Sequence, residues 1–369
     1  MPGTEPRSDA TAGDDGDRRV ADLVARVRAA AAAGEALQIQ GGSTKAFYGE
    51  PPTGTPLPVG GIAGIVAYEP TELYLKARCG TPLAEVETAL AGSGQVLAFE
   101  PPHFGDTATV GGCVAAGLAG PRRATAGGVR DYVLGVTLLD GRGDVLHFGG
   151  NVMKNVAGYD VARALAGSLG ILGVLLDVTL KVLPRPPEEA TLRFAVDETT
   201  ALARLNQWGG LPLPLSASAW HDGVLHLRLS GAVAAVQAAR RQLGGDVVER
   251  ADADAFWRAL REQQHAFFGG GAPLWRVSVP STAPALGLDA PQLIEWGGAQ
   301  RWLRTSAPAA SLRARVASVG GHATRFRGGS PDGAVFTTLA PPVAAIHRRL
   351  KEAFDPQRIF NRGRMYPDL

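Results

Sequence analysis

Hydrophobic positions in the first half of the chain change between helical and strand spacing. Apolar residues recur every three or four positions over 20–33 and stop before Gly34, which predicts a helix ended by a glycine. Shorter β-branched or alternating runs predict strands, with helical patterns between them. The predicted strands are 37–40, 65–68, 73–77, 132–140, 144–149 and 173–182, the further helices are 82–91 and 155–169, and 109–118 is a small-residue helix or turn. This order is mixed α and β.

The pattern changes after the proline cluster Pro184, Pro186 and Pro187, which predicts a domain boundary. Strands at 191–196, 216–220, 224–230 and 246–249, with helices at 198–208 and 232–243, predict a βαββαβ unit. A second unit follows, with strands at 274–279, 292–296, 301–305 and 323–326, a short helix near Ala283 and a helix at 309–319. This repeats the topology without repeating the sequence. A helix at 342–354 completes the elements.

Composition excludes several classes of protein. The 369 residues are 45% hydrophobic without an apolar run of 18, so the chain predicts a large core and no transmembrane segment. The net charge of +2 leaves no basic stripe for nucleic acid. Cys79 and Cys113 are too few and too far apart for a disulfide framework, a zinc site or an iron–sulfur cluster. Residues 1–19 lack the apolar core of a signal peptide, so we expect a disordered leader on a cytoplasmic protein.

Glycine is the unusual residue type. The chain has 48 glycines, about 13% of its residues against a usual ~7%. Sixteen of them lie within residues 101–180, interleaved with Val, Leu and Ile, which is not a linker composition. Part of the excess fits a coding bias. The rest predicts turns with positive φ or a backbone that lies close to a ligand.

Two glycine loops have the chemistry of an anion cradle. The first is Gly41, Gly42, Ser43, Thr44 and Lys45, directly after a predicted strand, and the second contains Thr107, Thr109, Gly111 and Gly112. Successive backbone N–H groups, hydroxyls and an ammonium can hold a pyrophosphate. Each loop alone also fits an ordinary glycine turn, and neither is a Walker A or a Rossmann motif. His103 fits a surface or capping residue or a base, and Cys113 fits a small packing residue.

Two later segments add to these loops. One runs from Lys154, Asn155 and Gly158 to the glycines at 167, 170 and 173, and the other is the C-terminal stretch 354–364. The chain has only four asparagines and five lysines; two of each lie between 150 and 181, and Asn361 is a third asparagine. The concentration of these rare residue types in the two segments predicts that they have a specific function there.

The four segments in this order resemble the vanillyl-alcohol-oxidase type of FAD-linked oxidoreductase. More narrowly, with residues 117–123 and 320–324, the chain is similar over about 35–367 to the FAD-binding E subunits of bacterial glycolate oxidase. The resemblance implies an α+β fold: a two-part PCMH-type FAD-binding domain with an inserted antiparallel-sheet cap domain of two βαββαβ units. The implied division is a leader (1–19), the FAD-binding domain (20–185), the cap (186–339) and a C-terminal segment that returns to the FAD domain (340–369).

The resemblance also implies the cofactor and its contacts. FAD would be non-covalent, because the first loop lacks the histidine that carries covalent FAD in some relatives. Residues 41–45, with Thr107, Thr109, Gly111 and Gly112, would hold the pyrophosphate, and Asn361 and Arg364 would lie near the isoalloxazine ring. The adenine and ribose side would be lined by Asn155, Gly158, Gly167, Ser168, Gly170, Leu172, Gly173 and Val174.

The expected function is that of an FAD-binding subunit in a glycolate oxidase complex. The cap has no histidine segment for a metal, so we expect no metal and assign no catalytic residue. The expected partners are a catalytic flavoprotein subunit and an iron–sulfur subunit, with glycolate, a small 2-hydroxy acid, as substrate of the complex. The complex would be cytoplasmic, or peripheral at the inner membrane. Two alternatives are a self-sufficient D-2-hydroxyacid dehydrogenase, which would use His322 or His103 with Arg325 and Arg327, and a non-catalytic scaffold.

Overall fold

The computed structural model describes residues 10–150, 160–329 and 333–369. Up to residue 185 its elements are α1 (Ala10–Ala33), β1 (Leu37–Gln40), β2 (Thr55–Pro58), β3 (Ile65–Glu69), β4 (Tyr74–Arg78), α2 (Leu83–Gly92), β5 (Gln95–Val96), α3 (Val110–Ala116), α4 (Arg123–Ala126), β6 (Val133–Leu139), β7 (Val145–Gly149), α5 (Val161–Ala164), β8 (Val174–Lys181) and β9 (Leu183–Pro184). They continue with β10 (Glu188–Ala195), α6 (Glu198–Gly209), β11 (Leu215–His221), β12 (Val224–Gly231), α7 (Val233–Leu243), β13 (Asp246–Val248), α8 (Arg250–Arg261), β14 (Leu274–Ser278), β15 (Gln292–Glu295), β16 (Gln300–Arg304), α9 (Ala309–Ala317), β17 (His322–Arg327) and α10 (Pro341–Phe354).

The N-terminal part of the chain forms an antiparallel sheet with the strand order β3-β4-β8-β6-β7. Its central strand β8 is almost wholly buried, which matches the β-branched run that predicted it. A separate parallel pair, β1 and β2, lies at the edge of this region, and Phe360 forms a bridge with Leu37. The C-terminal segment therefore returns to the first predicted strand.

Two predictions on this part of the chain are wrong. Helix α1 begins at Ala10 rather than near residue 20, so the expected disordered leader is wrong for residues 10–19. Its early turns are held in place because Gly16 lies against the guanidinium of Arg78, which also pairs with Asp17 at 3.3 Å. Of the helix predicted over 155–169, the structure describes residues 160–169, and of these only 161–164 are helical, because positive φ angles at Gly167, Leu169 and Gly170 turn the chain.

An eight-stranded antiparallel sheet contains all strands from β10 to β17, in the order β13-β10-β12-β11-β15-β16-β14-β17. Its two halves mirror each other, and the second strand of each half, β11 or β15, joins them by pairing at the centre. The first half is the predicted βαββαβ unit. The second lacks the helix predicted near Ala283, and α8 between the halves was missed. Because these strands all lie between residues 188 and 327, we propose the cap domain at 186–339.

The cap sheet has two apolar faces. One is covered by α6, α7 and α9, through clusters around Leu225 and Leu303. The other face presents Trp302 and Phe326 to α8 and to residues of the N-terminal part, among them Tyr48 and Leu118. This second face therefore lies directly against the region that carries the glycine loops.

Candidate functional site

A cleft of about 940 Å³, including its opening to solvent, lies where the glycine loops meet. Thirteen of the predicted site residues line the cleft: Gly41, Gly42, Ser43, Thr44, Lys45, Thr109, Gly111, Gly112, Gly170, Gly173, Val174, Asn361 and Arg364. Segments that are far apart in the sequence thus form one concave surface.

The two glycine loops touch each other through their backbones. A Cβ added to Gly42 would lie 1.5 Å from the carbonyl oxygen of Thr107, so only glycine fits there. The Thr107 hydroxyl donates a hydrogen bond to the Gly42 carbonyl at 2.7 Å. Thr107 itself is exposed and outside the cleft lining, so its contact positions the first loop.

The second loop begins helix α3. The Thr109 hydroxyl accepts a hydrogen bond from the Gly112 N–H at 3.2 Å and caps the helix. A Cβ on Gly111 would collide with Cys79, whereas one on Gly112 would meet only the Thr109 hydroxyl. Gly111 is thus required by packing, and Gly112 faces the cleft.

The third segment is divided between the cleft and the core. Gly170 and Gly173, both with positive φ, line the cleft with Val174. Gly167 instead packs against Gly117, and Ser168 and Leu172 are buried outside the cleft lining. Asn155 and Gly158 lie outside the described residues, so the structure says nothing about them.

Asn361 and Arg364, near the C-terminus, form hydrogen bonds with backbone groups on either side of the first glycine loop and in it. The Asn361 side chain accepts from the Ile39 N–H and donates to the Leu169 carbonyl, both at 2.8 Å. Arg364 donates to the carbonyls of Ala46 at 2.9 Å, Glu50 at 3.1 Å and Lys45 at 3.3 Å. Both side chains line the cleft, but these contacts fix its wall. Their expected place near a flavin ring stays a prediction.

Lys45 brings a buried positive charge to the cleft. Its ammonium donates to the His103 carbonyl at 3.1 Å and lies 5.6 Å from the centre of the Phe104 ring. Burial lowers its pKa, and the negative charge of Glu262 partly offsets this effect. Burial raises the pKa of Cys113 to about 12, which keeps it a thiol at neutral pH and agrees with its predicted packing role.

Sequence reasoning missed part of the cleft wall. Pro52 and Val59 line the cleft on either side of β2, and Cys79 lines it at the end of β4. Strand β2 has prolines at two of its four positions, which hides its β pattern. The glycine pair Gly60 and Gly61 directly after Val59 was the available signal.

Ion pairs hold the cap against the N-terminal part. The carboxylate of Glu100 accepts from Arg122 at 3.0 Å and from Arg228 of β12 at 2.9 Å. Glu262, at the end of α8, accepts from the backbone N–H groups of His103 and Phe104. The second loop is therefore positioned partly by the cap.

We expect the stability from Glu100 to depend on pH. Burial alone would raise its pKa, but Arg228 and Arg122 outweigh burial and lower the pKa below its ordinary 4.5. A lowered pKa gives stability that is full above 4.5 and lost as the pH falls through the folded-state value. Glu100→Gln should therefore lower the free energy of unfolding at pH 7, and by less at increasingly acid pH. Urea unfolding across this range measures it; a difference independent of pH would contradict the ion-pair role.

Neither a membrane-spanning helix nor a metal-binding cluster occurs among the described residues. No helix there is long and apolar enough to cross a membrane. Residues 10–150, 160–329 and 333–369 contain no group of three His, Cys, Asp or Glu side chains that could hold a metal ion.

Comparisons with known proteins identify the class. The model of a family described as FAD binding domain matches residues 18–163. Solved structures of alkyldihydroxyacetonephosphate synthase share the fold: one has a TM-score of 0.64 at 12% identity over 92% of this chain and 74% of that chain. The fold and the glycine-lined cleft define a PCMH-type FAD-linked oxidoreductase, and FAD is its cofactor.

A whole-length relative identifies the family. Glycolate oxidase subunit GlcE of Escherichia coli (strain K12) is 49% identical over 333 residues, which is 90% of this chain and 93% of the relative. The chain belongs to this family of glycolate oxidase E subunits. Glycolate oxidase subunit GlcD of Bacillus subtilis (strain 168) is 35% identical over 96 residues, 26% of this chain and 20% of that protein. A D-lactate dehydrogenase of Anaerostipes hadrus is 33% identical over 35% of this chain and 26% of its own length.

Proposed function

We propose that this chain is the FAD-binding subunit of a glycolate oxidase complex and takes part in oxidising glycolate to glyoxylate. The observation that carries this proposal is the single cleft formed by the glycine loops in a chain 49% identical to an E subunit. Membership of this family places the chain in a multi-subunit assembly. Bound FAD supplies the chemistry of hydride acceptance.

We place the pyrophosphate against Ser43, Thr44 and the first turn of α3. Supporting this are the open approach at Gly112, the hydroxyls of both loops and the ammonium of Lys45 nearby. The adenosine would lie towards Gly170 and Val174. The first loop has no histidine, so the cofactor would be held without a covalent bond.

The proposed partners are a catalytic flavoprotein and an iron–sulfur subunit. Cys79 and Cys113 are both buried, and two thiols cannot ligate a four-iron cluster. Electrons that leave the flavin would therefore pass to a cluster on another chain. The local similarity to a D subunit supports a related flavoprotein as the other partner.

The test uses the assembled complex with a flavin-free form of this subunit. Gly112→Asp places a carboxylate in the open cleft, where it would repel a phosphate. We expect the variant to co-purify with its partners and to lack FAD. The rate at which the complex reduces a dye with glycolate as electron donor should fall at least about tenfold. Full activity in a complex shown to lack this flavin would overturn the proposal.

A further inference from the structure

A second cavity lies between the cap sheet and the segment that follows the second glycine loop. Together with its opening to solvent it spans about 340 Å³. Leu118 and Pro121 form one wall, and residues of β14, β15 and β16 form the other. Phe104, which also contacts Lys45 of the cleft, lies at its side, so the two cavities are neighbours.

The cap wall of this cavity carries a chain of polar groups. Glu295 is buried, and its Oε2 accepts hydrogen bonds from Trp302 Nε1 at 2.7 Å and from Gln300 Nε2 at 3.1 Å. Gln300 Oε1 in turn accepts from Arg276 Nε at 2.8 Å. Gln300 thus links the carboxyl group to the guanidinium and fixes both at the cavity.

The outer N–H groups of Arg276 remain available. Its guanidinium lies 5.4 Å from the centre of the Trp296 ring, and within the described ranges it forms no ion pair and no hydrogen bond beyond the one to Gln300. A guanidinium edge that faces a small cavity is suited to a carboxylate, which accepts two parallel hydrogen bonds.

Gln263, just beyond α8, also lines this cavity. Its Oε1 is buried and has no hydrogen-bond partner in the described part of the chain. A buried acceptor without a donor costs free energy, which a ligand hydroxyl would recover. The cavity therefore offers one site for a carboxylate and one for a hydroxyl donor.

We propose that this cavity binds a small 2-hydroxy monocarboxylate, with its carboxylate on Arg276, its hydroxyl on Gln263 and the carboxyl group of Glu295 beside it. The choice of a 2-hydroxy acid rests on the proposed function, and the polar groups are independent of it. This gives the chain its own binding site for the acid, next to the flavin cleft. Nothing in the family match assigns these three residues.

Binding should be coupled to a proton on Glu295. Burial raises the pKa of this carboxyl to about 7, against the hydrogen bonds from Trp302 and Gln300 and the charge of Arg276. The other charges near the pair are Arg261 on the cavity wall, Glu100, and His322 and Arg123, whose pKa values are lowered by burial and then by the charge of Arg276. A bound anion favours the protonated carboxyl. Affinity should thus be constant well below pH 7 and fall above it, by up to about tenfold per pH unit.

The experiment titrates the purified, FAD-loaded full chain with glycolate and with acetate, which lacks the hydroxyl, between pH 5.5 and 8.5. Calorimetry gives the affinities, and FAD content with the melting temperature shows that each variant is folded. Arg276→Gln should weaken both ligands about tenfold or more. Glu295→Gln should bind glycolate as the wild type does at low pH, without the pH dependence. Gln263→Leu should abolish the preference for glycolate over acetate. Arg193→Gln, an exposed arginine elsewhere in the same sheet, is the control.

Three results would overturn the proposal. These are no glycolate binding by the folded wild type, unchanged affinity in folded Arg276→Gln, or a pH dependence that persists in Glu295→Gln. If Arg276→Gln does not fold, the other two variants decide. If the subunit binds no glycolate but the complex still needs the FAD of this subunit for activity, only the acid site proposed here is rejected. If the complex is fully active without that FAD, the proposed function is rejected instead.

Discussion

Replacing Gly42 with alanine should abolish retention of FAD. The new methyl group would lie 1.5 Å from the Thr107 carbonyl oxygen, and this neighbour is backbone that no side-chain rotation can move. The two glycine loops would have to separate, which breaks the hydrogen bond between them and distorts the cleft. We expect the flavin-to-protein absorbance ratio of the purified chain to fall below about a tenth of the wild-type value, since a misplaced loop loses several contacts together.

A further alanine variant serves as the control. Gly92 ends α2 with nothing within 4 Å of an added Cβ, so Gly92→Ala should keep full FAD content. Wild-type flavin content in Gly42→Ala would mean that the loops do not touch as described.

Glycine itself shows what a sequence can and cannot predict. Its concentration marked the right segments, because close backbone approach leaves few other choices. The sequence-based reason was approach to a phosphate at both Gly42 and Gly112. At Gly42 and Gly111 the structure shows approach to the protein's own backbone, whereas a Cβ added to Gly112 would meet only the Thr109 hydroxyl. Composition does not distinguish these cases, because both exclude a side chain.

The strands of the cap could be predicted because its sheet packs on both faces. Neighbouring side chains along a strand therefore point in turn to one apolar face and to the other. Trp220 and Ala219, for example, are neighbours on β11 that belong to different apolar clusters. Helix α8 was missed although its pattern is present in the sequence. Five of the twelve residues of Arg250–Arg261 are charged, and the buried Ala253, Trp257 and Leu260 recur at helical spacing on one face.

The C-terminal contacts depend on distances that a local pattern does not contain. Asn361 bonds to Ile39 across 322 positions and to Leu169 across 192. The resemblance indicated that this segment returns to the cleft. It did not indicate that Asn361 and Arg364 are already engaged with backbone groups, which only the folded arrangement determines.

Lys351→Met should cause the largest loss of stability among the substitutions considered. Lys351 and Asp355 are both fully buried on and after α10, with 2.8 Å between ammonium and carboxylate. The ammonium also donates to the carbonyls of Ile171 and Phe360, so it joins the C-terminal segment to the wall of the cleft. Burial lowers the pKa of Lys351, and Asp355 counteracts this effect. Removing one member of a buried pair typically costs about 3–5 kcal/mol.

The cost should appear in urea unfolding followed by circular dichroism, as a lower midpoint at an unchanged slope. Arg349→Met on the exposed side of α10 is the matched control and should change the free energy of unfolding by less than about 0.5 kcal/mol. Replacing Asp355 as well should not restore stability, because its carboxylate also accepts from the N–H groups of Ile359 and Phe360. Full recovery in Lys351→Met/Asp355→Leu would show that the pair acts only by mutual charge.

Since Phe360 bridges to Leu37 beside the first glycine loop, FAD retention should decline with stability in the single variant.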